Sequence, residues 1–330
     1  MVLSADAAAR PLRALVAGTG SIGRRHIANL SALAPGADFA LLRDGAREDD
    51  YSRQLGAATF GGIGEALAWA PDLAVIATPS DRHHELLAPL LAAGVATLVE
   101  KPVVIAGRDA DALDALLTGP AAGVPTQTGC VLRFLPAVRT LKRWLEAGRC
   151  GQLVHASLQA GQYLPDWRPR QDYRRSYSAR TERGGGVIFD LVHELDLALW
   201  LFGEAELLCA AHGKASRLEI ESDDAALLTL RAAGNVLIGI ALDYVSRRPV
   251  RTIEIVGDEA TARLDFIARE LVLVGPDGPL DVVRDGFDLD EAYRAELAEL
   301  IAAVQSGAPT SLPVAEGLRA TRLAIAAQAA

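Results

Sequence analysis

The chain has 330 residues, of which half are hydrophobic and 23% are charged, and its formal net charge at pH 7 is −9. This is the composition of a folded globular protein, and the length indicates two domains rather than one. The negative charge argues against general nucleic-acid binding, and no apolar run approaches the roughly 20 residues that would span a membrane.

Cysteine usage and the start of the chain indicate a cytoplasmic protein. Cys130, Cys150 and Cys209 are widely spaced and odd in number, so we expect neither a disulfide framework nor a metal site. The first 13 residues contain no apolar stretch of the kind that a secretory signal carries.

The first third of the chain alternates short apolar runs with helical patterns. The runs predict strands at residues 14–17, 39–42, 57–60, 73–77 and 96–99. The intervening patterns predict helices at residues 21–33, 63–69, 80–93 and 109–117. Because the strands are continuously apolar and separated by helices, they predict a parallel sheet that is covered on both faces.

After Pro136 the pattern changes to short strands in which apolar and polar residues alternate. These strands are predicted at residues 153–159, 225–231, 236–242, 252–256 and 271–274. Helices are predicted at residues 137–147, 187–201, 288–306 and 314–327. This order predicts an α+β domain built on an open, mostly antiparallel sheet.

A glycine-rich turn joins the first predicted strand to the first predicted helix. Its sequence is Gly18-Thr19-Gly20-Ser21-Ile22-Gly23. Such a turn lets a pyrophosphate approach the backbone at the start of a helix, and the strand–turn–helix context favours this role over an ordinary turn. We therefore predict that all six residues contact a dinucleotide.

The end of the second predicted strand bears on the choice of dinucleotide. Asp44 lies about 20 residues after Gly23, where an acid binds the ribose hydroxyls of NAD. Arg43 and Arg47 lie beside it, and either could hold the 2′-phosphate of NADP instead. The acid at position 44 favours NAD as the cofactor, and NADP remains the alternative.

Two polar segments follow the next strands, at the sheet edge where open α/β sheets bind ligands. The first, Thr78-Pro79-Ser80, is followed by His83; a helix entry capped by Ser80, with a structural histidine, would give the same pattern. The second is Glu100-Lys101-Pro102, in which the proline restricts Lys101 to an extended backbone. An amine held at this edge indicates hydride chemistry.

A third polar segment is centred on His193. Gly184, Gly185 and Gly186 permit a close backbone approach to a ligand, and a predicted helix follows them. Asp190 and His193 are three residues apart, so they share one face of that helix. A carboxylate beside an imidazole raises its basicity for abstracting a proton from an alcohol, although a satisfied polar pair on a capped helix fits equally well.

Together these motifs resemble the glucose–fructose oxidoreductase/inositol dehydrogenase (Gfo/Idh/MocA) family over nearly the whole chain. The matching pieces are the residues from Gly18 to His26, Thr78-Pro79-Ser80-x-x-His83, Glu100-Lys101-Pro102, Gly129-x-x-x-Arg133-Phe134-x-Pro136, and the three glycines with His193-x-x-Asp196. The resemblance implies hydride transfer between a nicotinamide and a hydroxyl-bearing carbon of a sugar, cyclitol or sugar derivative.

The resemblance also implies roles for single residues. Lys101 would contact the nicotinamide region and the substrate oxygen, and His193 would take the hydroxyl proton. Many members place an aspartate four residues before this histidine; here Phe189 stands there, and Asp190 is the nearest substitute. The cofactor-binding set is completed by Asp44, Thr78, Pro79, His83 and Glu100.

The segment 162–183 interleaves aromatic residues with six arginines in a chain that is acidic overall. Guanidinium groups bind carboxylates and phosphates, so this segment predicts an anionic substrate such as a nucleotide sugar or a sugar acid. A solvated or subunit-bridging loop is the alternative. The candidate substrate-binding residues are Arg133, Tyr163, Trp167, Arg168, Tyr173 and Arg174.

These observations predict an α/β chain in which a doubly wound Rossmann domain, residues 1–132, binds NAD or NADP. Residues 133–330 would form the α+β domain for substrate binding and oligomerisation, as a homodimer or homotetramer. The predicted activity is an NAD(P)-dependent dehydrogenase or reductase. An NAD-dependent glycosidase that oxidises its substrate transiently, or a non-catalytic NAD-sensing regulator, are the alternatives.

Overall fold

The computed structural model describes residues 10–330, which divide into two compact units. The first unit ends at Cys130 and is completed by Tyr293–Leu318, and the second contains Val131–Ala292 and Arg319–Ala330. The first change of unit falls close to the predicted boundary after residue 132, but residues 293–318 depart from that prediction. Residues 1–9, which include most of the segment searched for a secretory signal, lie outside the described residues.

The first unit contains a six-stranded parallel sheet. Its strands are β1 (Arg13–Ala17), β2 (Asp38–Leu42), β3 (Ala58–Phe60), β4 (Leu73–Ile76), β5 (Ala96–Glu100) and β6 (Thr126–Gly129). Their order in the sheet is β3-β2-β1-β4-β5-β6. The order reverses between β1 and β4, which is the point where doubly wound sheets bind ligands at the carboxyl ends of the strands.

Helices cover both faces of this sheet, as the continuously apolar strands predict. They are α1 (Ser21–Leu33), α2 (Asp50–Leu55), α3 (Ile63–Ala68), α4 (His83–Ala92) and α5 (Gly107–Thr118). One core joins alternate strand residues to α4 and α5, and the other joins the remaining strand residues to α1. Leu297, Leu300 and Ile301 complete the second core, which is why residues 293–318 belong to this unit.

The second unit contains an eight-stranded mixed sheet. Its strands are β7 (Leu153–Gly161), β8 (Ala205–Gly213), β9 (Ala225–Ala232), β10 (Leu237–Asp243), β11 (Val250–Gly257), β12 (Thr261–Asp265), β13 (Glu270–Gly275) and β14 (Gly278–Val283). The order is β14-β13-β12-β11-β7-β10-β9-β8, in which β7 and β10 pair in parallel and their other neighbours are antiparallel. The predicted open, mostly antiparallel sheet is confirmed.

The helices of the second unit differ from the prediction at one point. They include α6 (Pro136–Glu146), α7 (Leu164–Trp167), α8 (Val187–Asp190) and α9 (Val192–Phe202). The predicted continuous helix 187–201 is wrong, because Leu191 leaves helical geometry with φ −100° and ψ 29° and separates α8 from α9. The chain ends with α10 (Leu289–Ser306) and α11 (Val314–Gln328). Within residues 10–330, no helix is both long enough and apolar enough to cross a bilayer.

Candidate functional site

The glycine turn has the geometry of a phosphate cradle. Gly23 packs so closely on the turn that a Cβ there would lie 2.0 Å from the carbonyl oxygen of Gly18. At Gly20, which caps α1, a Cβ would meet no atom of residues 10–330 within 4 Å apart from its chain neighbours and its own helix, so the space at this position is open. The first turn of α1 contains no acidic residue that would compete with an anion for the helix N-terminus.

The remaining residues of the turn take distinct positions. Thr19 contributes its carbonyl oxygen to a 3.1 Å hydrogen bond from Arg24 Nε. Ser21 is exposed at the start of α1, and Ile22 packs against the core beneath it. The predicted turn therefore divides into residues that shape the cradle and residues that face its opening.

Asp44 is exposed at the predicted place, just after β2. Its Oδ1 accepts a 2.6 Å hydrogen bond from Arg82 Nη1. Arg43, which the sequence offered as a phosphate ligand, instead directs its guanidinium at both carboxylate oxygens of Asp49, at 2.8 and 3.1 Å. Arg43 is therefore already engaged within its own loop.

The segment after β4 is held by His83, which is fully buried. Its Nε2 lies 3.0 Å from the carbonyl oxygen of Thr78, and its Nδ1 lies 2.9 Å from that of Pro102. Burial lowers the pKa of His83. The imidazole therefore joins the two loops that carry Thr78 and Lys101, and neither ring nitrogen is directed at an open space.

The Glu100-Lys101-Pro102 segment continues from the end of β5, and the Lys101–Pro102 peptide is cis. Glu100 is nearly buried, and its Oε1 lies 2.8 Å from Nε2 of the buried His26 on α1. Pro102 is buried, whereas Lys101 between them is partly exposed. The two histidines thus fix the residues on both sides of the lysine.

These residues fit a nicotinamide dinucleotide. The open space at Gly20 suits a pyrophosphate, and the exposed carboxylate of Asp44 suits a ribose diol. The hydroxyl oxygen of Thr78 is buried and has no hydrogen-bond partner among residues 10–330, and Pro79 beside it is partly exposed. Glu100, by contrast, already contacts His26 and lies deeper than the sequence indicates.

In the second unit, Arg133 is buried rather than open to a substrate. Its Nε and Nη2 donate hydrogen bonds of 2.8 and 2.6 Å to the two carboxylate oxygens of Asp196, and its guanidinium lies 5.4 Å from the Trp200 ring. The two side chains are 6% and 1% exposed. This bidentate pair ties the 131–134 turn to α9, and the substrate contact of Arg133 stays a prediction.

Asp190 is also buried, and its best-defined contact is a phenol. The Tyr244 hydroxyl donates a 2.6 Å hydrogen bond to Asp190 Oδ2. Burial and the neighbouring Asp190 raise the pKa of both Tyr244 and Tyr177. The turn at Leu191 lies between Asp190 and the half-buried His193, and their pairing stays a prediction. The hydrogen bond from Tyr244 therefore ties the end of α8 to the segment that follows β10.

The arginine-rich segment folds into short helical turns around aromatic rings. Arg168 lies 5.6 Å from the Tyr177 ring, and Trp167 meets Tyr244 edge-on at 5.3 Å. Arg174 binds Asp172 at 2.8 Å, so part of the predicted positive charge is neutralised locally.

Two further loops, between β8 and β9 and between β10 and β11, contact this segment. Arg247 lies 3.7 Å from the Tyr163 ring, and the amide of Glu219 donates a 3.3 Å hydrogen bond to the Tyr173 hydroxyl. Arg247 and Tyr244 were missed because they follow β10, far along the chain from segment 162–183. The only local signal was the adjacent pair Arg247-Arg248, at the end of an alternating strand.

Comparisons with known proteins agree with this geometry. Residues 12–120 match the model of the oxidoreductase family with an NAD-binding Rossmann fold, and residues 138–263 match the GFO/IDH/MocA C-terminal domain. A myo-inositol dehydrogenase of Streptomyces leeuwenhoekii is 31% identical over 61% of this chain, a match that spans 58% of that relative's length.

Two further proteins match along almost the entire chain. UDP-N-acetylglucosamine 3-dehydrogenase of Acidithiobacillus ferrooxidans is 26% identical over 95% of each chain. The structure of levoglucosan dehydrogenase with NADH and levoglucosan superposes with a TM-score of 0.84 at 18% identity, over 96% of each chain, and so shares the fold. The chain belongs to the Gfo/Idh/MocA family of oxidoreductases.

Proposed function

We propose that this protein is an NAD-dependent oxidoreductase that acts on a hydroxyl-bearing carbon of a sugar, cyclitol or sugar derivative. The observation that carries the proposal is the setting of Lys101. It is a partly exposed lysine between Glu100 and Pro102, which are fixed by His26 and His83. A side chain held in this way is preorganised to donate a hydrogen bond to one defined oxygen.

The proposed chemistry assigns two acid–base roles. When bound, the nicotinamide supplies the acceptor or donor of the hydride. Lys101 donates a hydrogen bond to the substrate oxygen and stabilises the charge that develops on it. His193 takes the hydroxyl proton during oxidation and returns it during reduction. Asp190 acts in this proposal through its contact with Tyr244, as a positioning residue.

The substrate proposal extends to anionic sugars. Arg168 and Arg247 are exposed in the second unit and each lies over a tyrosine ring, which orients its guanidinium group. Oriented guanidinium groups bind phosphate or carboxylate bidentately. The relative named as a UDP-N-acetylglucosamine 3-dehydrogenase supports a nucleotide sugar as one member of this class.

The first experiment is a thermal-shift screen followed by turnover. NAD and NADP are tested first, and then sugars, cyclitols, sugar acids and nucleotide sugars are tested in the presence of the better cofactor. A ligand at a hundred times its Kd stabilises the native state by about 2.7 kcal/mol. We expect a cofactor shift and a second shift from a sugar-like compound. Dinucleotide binding with no response to any compound would favour the regulator, and turnover without net NADH formation would favour the glycosidase.

Lys101→Met then tests the mechanism. We expect turnover to fall by about 100-fold or more, because the charge on the substrate oxygen loses its stabilising donor, while the Kd for the cofactor stays within a few-fold. Lys142→Met is the matched control, since Lys142 pairs with Glu146 on α6. If Lys101→Met instead raises the Kd for the cofactor strongly and leaves turnover at saturating cofactor unchanged, Lys101 is a cofactor ligand alone.

We also propose an oligomeric assembly and a cytoplasmic location for this protein. The exposed face of the second sheet carries large apolar side chains on two neighbouring strands, namely Leu227 on β9 and Leu237 on β10. Such a face is typical of an interface between copies, which supports a homodimer or homotetramer. Light scattering of the purified protein would measure its mass directly. The three cysteines are widely spaced and form no disulfide among residues 10–330, which supports a cytoplasmic location.

A further inference from the structure

We propose that Arg82 is a cofactor-specificity residue that lets the adenosine end of the site accept the 2′-phosphate of NADP as well as the ribose diol of NAD. This inference rests on the proposed function, because it concerns the dinucleotide used there. In Rossmann domains an acid after the second strand binds the diol, and a nearby arginine accommodates the phosphate. This chain carries both groups, in contact with each other.

The contact arises from the topology of the sheet. Asp44 follows β2, and Arg82 ends the turn between β4 and α4. Because β2 and β4 both pair with β1, their carboxyl ends lie at the same edge. There Arg82 Nη1 donates to Asp44 Oδ1 at 2.6 Å, and Arg82 Nε lies 3.7 Å from Glu85 Oε2. The guanidinium is thus held beside the carboxylate that the ribose requires.

The ion pair is exposed, which allows an exchange of partners. The Asp44 and Arg82 side chains are 85% and 39% exposed. Exposed pairs between charged side chains are weak, so the guanidinium can turn from Asp44 to a phosphate at little cost. While paired, it also offsets the Asp44 charge that would otherwise repel a 2′-phosphate.

Two other arginines near Asp44 are weaker candidates for this role. Arg43 is 15% exposed and directs its guanidinium at Asp49. Arg47 is exposed and makes no ion pair with any residue from 10 to 330, so nothing orients its guanidinium toward Asp44. Arg43 and Arg47 are therefore close to Asp44 in the sequence, but neither holds its guanidinium against the Asp44 carboxylate as Arg82 does.

The test compares the Kd values of NADH and NADPH by fluorescence titration of the intact protein. Arg82→Gln keeps much of the side-chain length and removes the charge. We expect it to weaken NADPH by about tenfold or more, because a charged hydrogen bond is lost and Asp44 is left uncompensated, and to change NADH by less than about threefold. Arg82→Lys should retain part of the NADPH affinity. Arg108→Gln is the control, since Arg108 is an exposed arginine on α5 of the same unit.

The outcomes distinguish a failure of the Arg82 proposal from a failure of the proposed function. NADH binding by Arg82→Gln shows that the variant is folded, so an unchanged NADH-to-NADPH ratio overturns the proposal. A ratio that shifts in Arg47→Gln but not in Arg82→Gln overturns it as well, and so does a wild-type protein that binds NADH but no NADPH. If the wild-type protein, free of bound cofactor, binds neither dinucleotide, the proposed function itself fails.

Discussion

Replacing Arg133 by Met tests whether this arginine holds the fold or binds the substrate. The bidentate pair with Asp196 is almost fully buried, at 6% and 1% exposure of the two side chains. Met fills a similar apolar volume but leaves Asp196 as a buried carboxylate without its partner guanidinium. Removing one member of a buried ion pair costs about 3–5 kcal/mol. For a unit of this size that loss lowers the Tm by about 6–20 °C.

Urea unfolding followed by tryptophan fluorescence measures the loss, because Trp200 lies against the Arg133 guanidinium. Arg143→Met controls for the loss of one positive charge, since Arg143 is exposed on α6. Adding Asp196→Leu to the Arg133→Met variant should restore most of the stability, because an apolar pair replaces the isolated charge. A loss below about 1 kcal/mol, the range of an exposed pair, together with a raised KM would refute this reasoning and return Arg133 to substrate binding.

Two further substitutions test buried groups of the second unit. Tyr244→Phe removes the hydrogen bond to buried Asp190 and should lower the free energy of unfolding by about 1.5–3 kcal/mol; no measurable loss in urea titration would mean that Asp190 is otherwise satisfied. Burial raises the pKa of Asp223 above its ordinary 3.8, so wild-type stability falls as pH rises through the folded pKa. Asp223→Asn should therefore raise the Tm at neutral pH, and by less in acid; destabilisation at neutral pH would contradict this.

The sequence predicted the parts of the fold that have a strong local pattern. Five strands of the first sheet are short apolar runs, and α1 begins where the glycine turn places it. The sixth strand, β6, was missed because Thr126, Gln127 and Thr128 carry no apolar signal. It is buried because the returning chain supplies its polar contacts: Val314 N donates to Thr126 Oγ1 at 3.0 Å, and Thr128 N donates to Leu312 O at 2.9 Å.

The sequence predicted which residue types form the candidate site. It could not predict which of these side chains contact each other. Asp44 and Arg82 are 38 residues apart in the sequence, so nothing local indicates that they meet. Similarly, Asp190 and Tyr244 are 54 residues apart in the sequence, yet the Tyr244 hydroxyl donates a hydrogen bond to Asp190 Oδ2. Contacts between residues that are distant in the sequence are set by tertiary packing. The periodicity of one sequence gives no information about such contacts.

Burial separates the motif residues that hold the site from those that are available for chemistry. His26, His83, Arg133 and Asp190 each carry a reactive or charged group, yet each is buried against a partner within its own unit. Buried polar groups need hydrogen-bond partners, and the partners of these four residues link separate segments of the chain. Lys101 differs because it is partly exposed between two residues that are fixed in this way. A partly exposed lysine whose two neighbours are each hydrogen-bonded to a buried histidine has the setting that our proposal requires for contact with one defined oxygen.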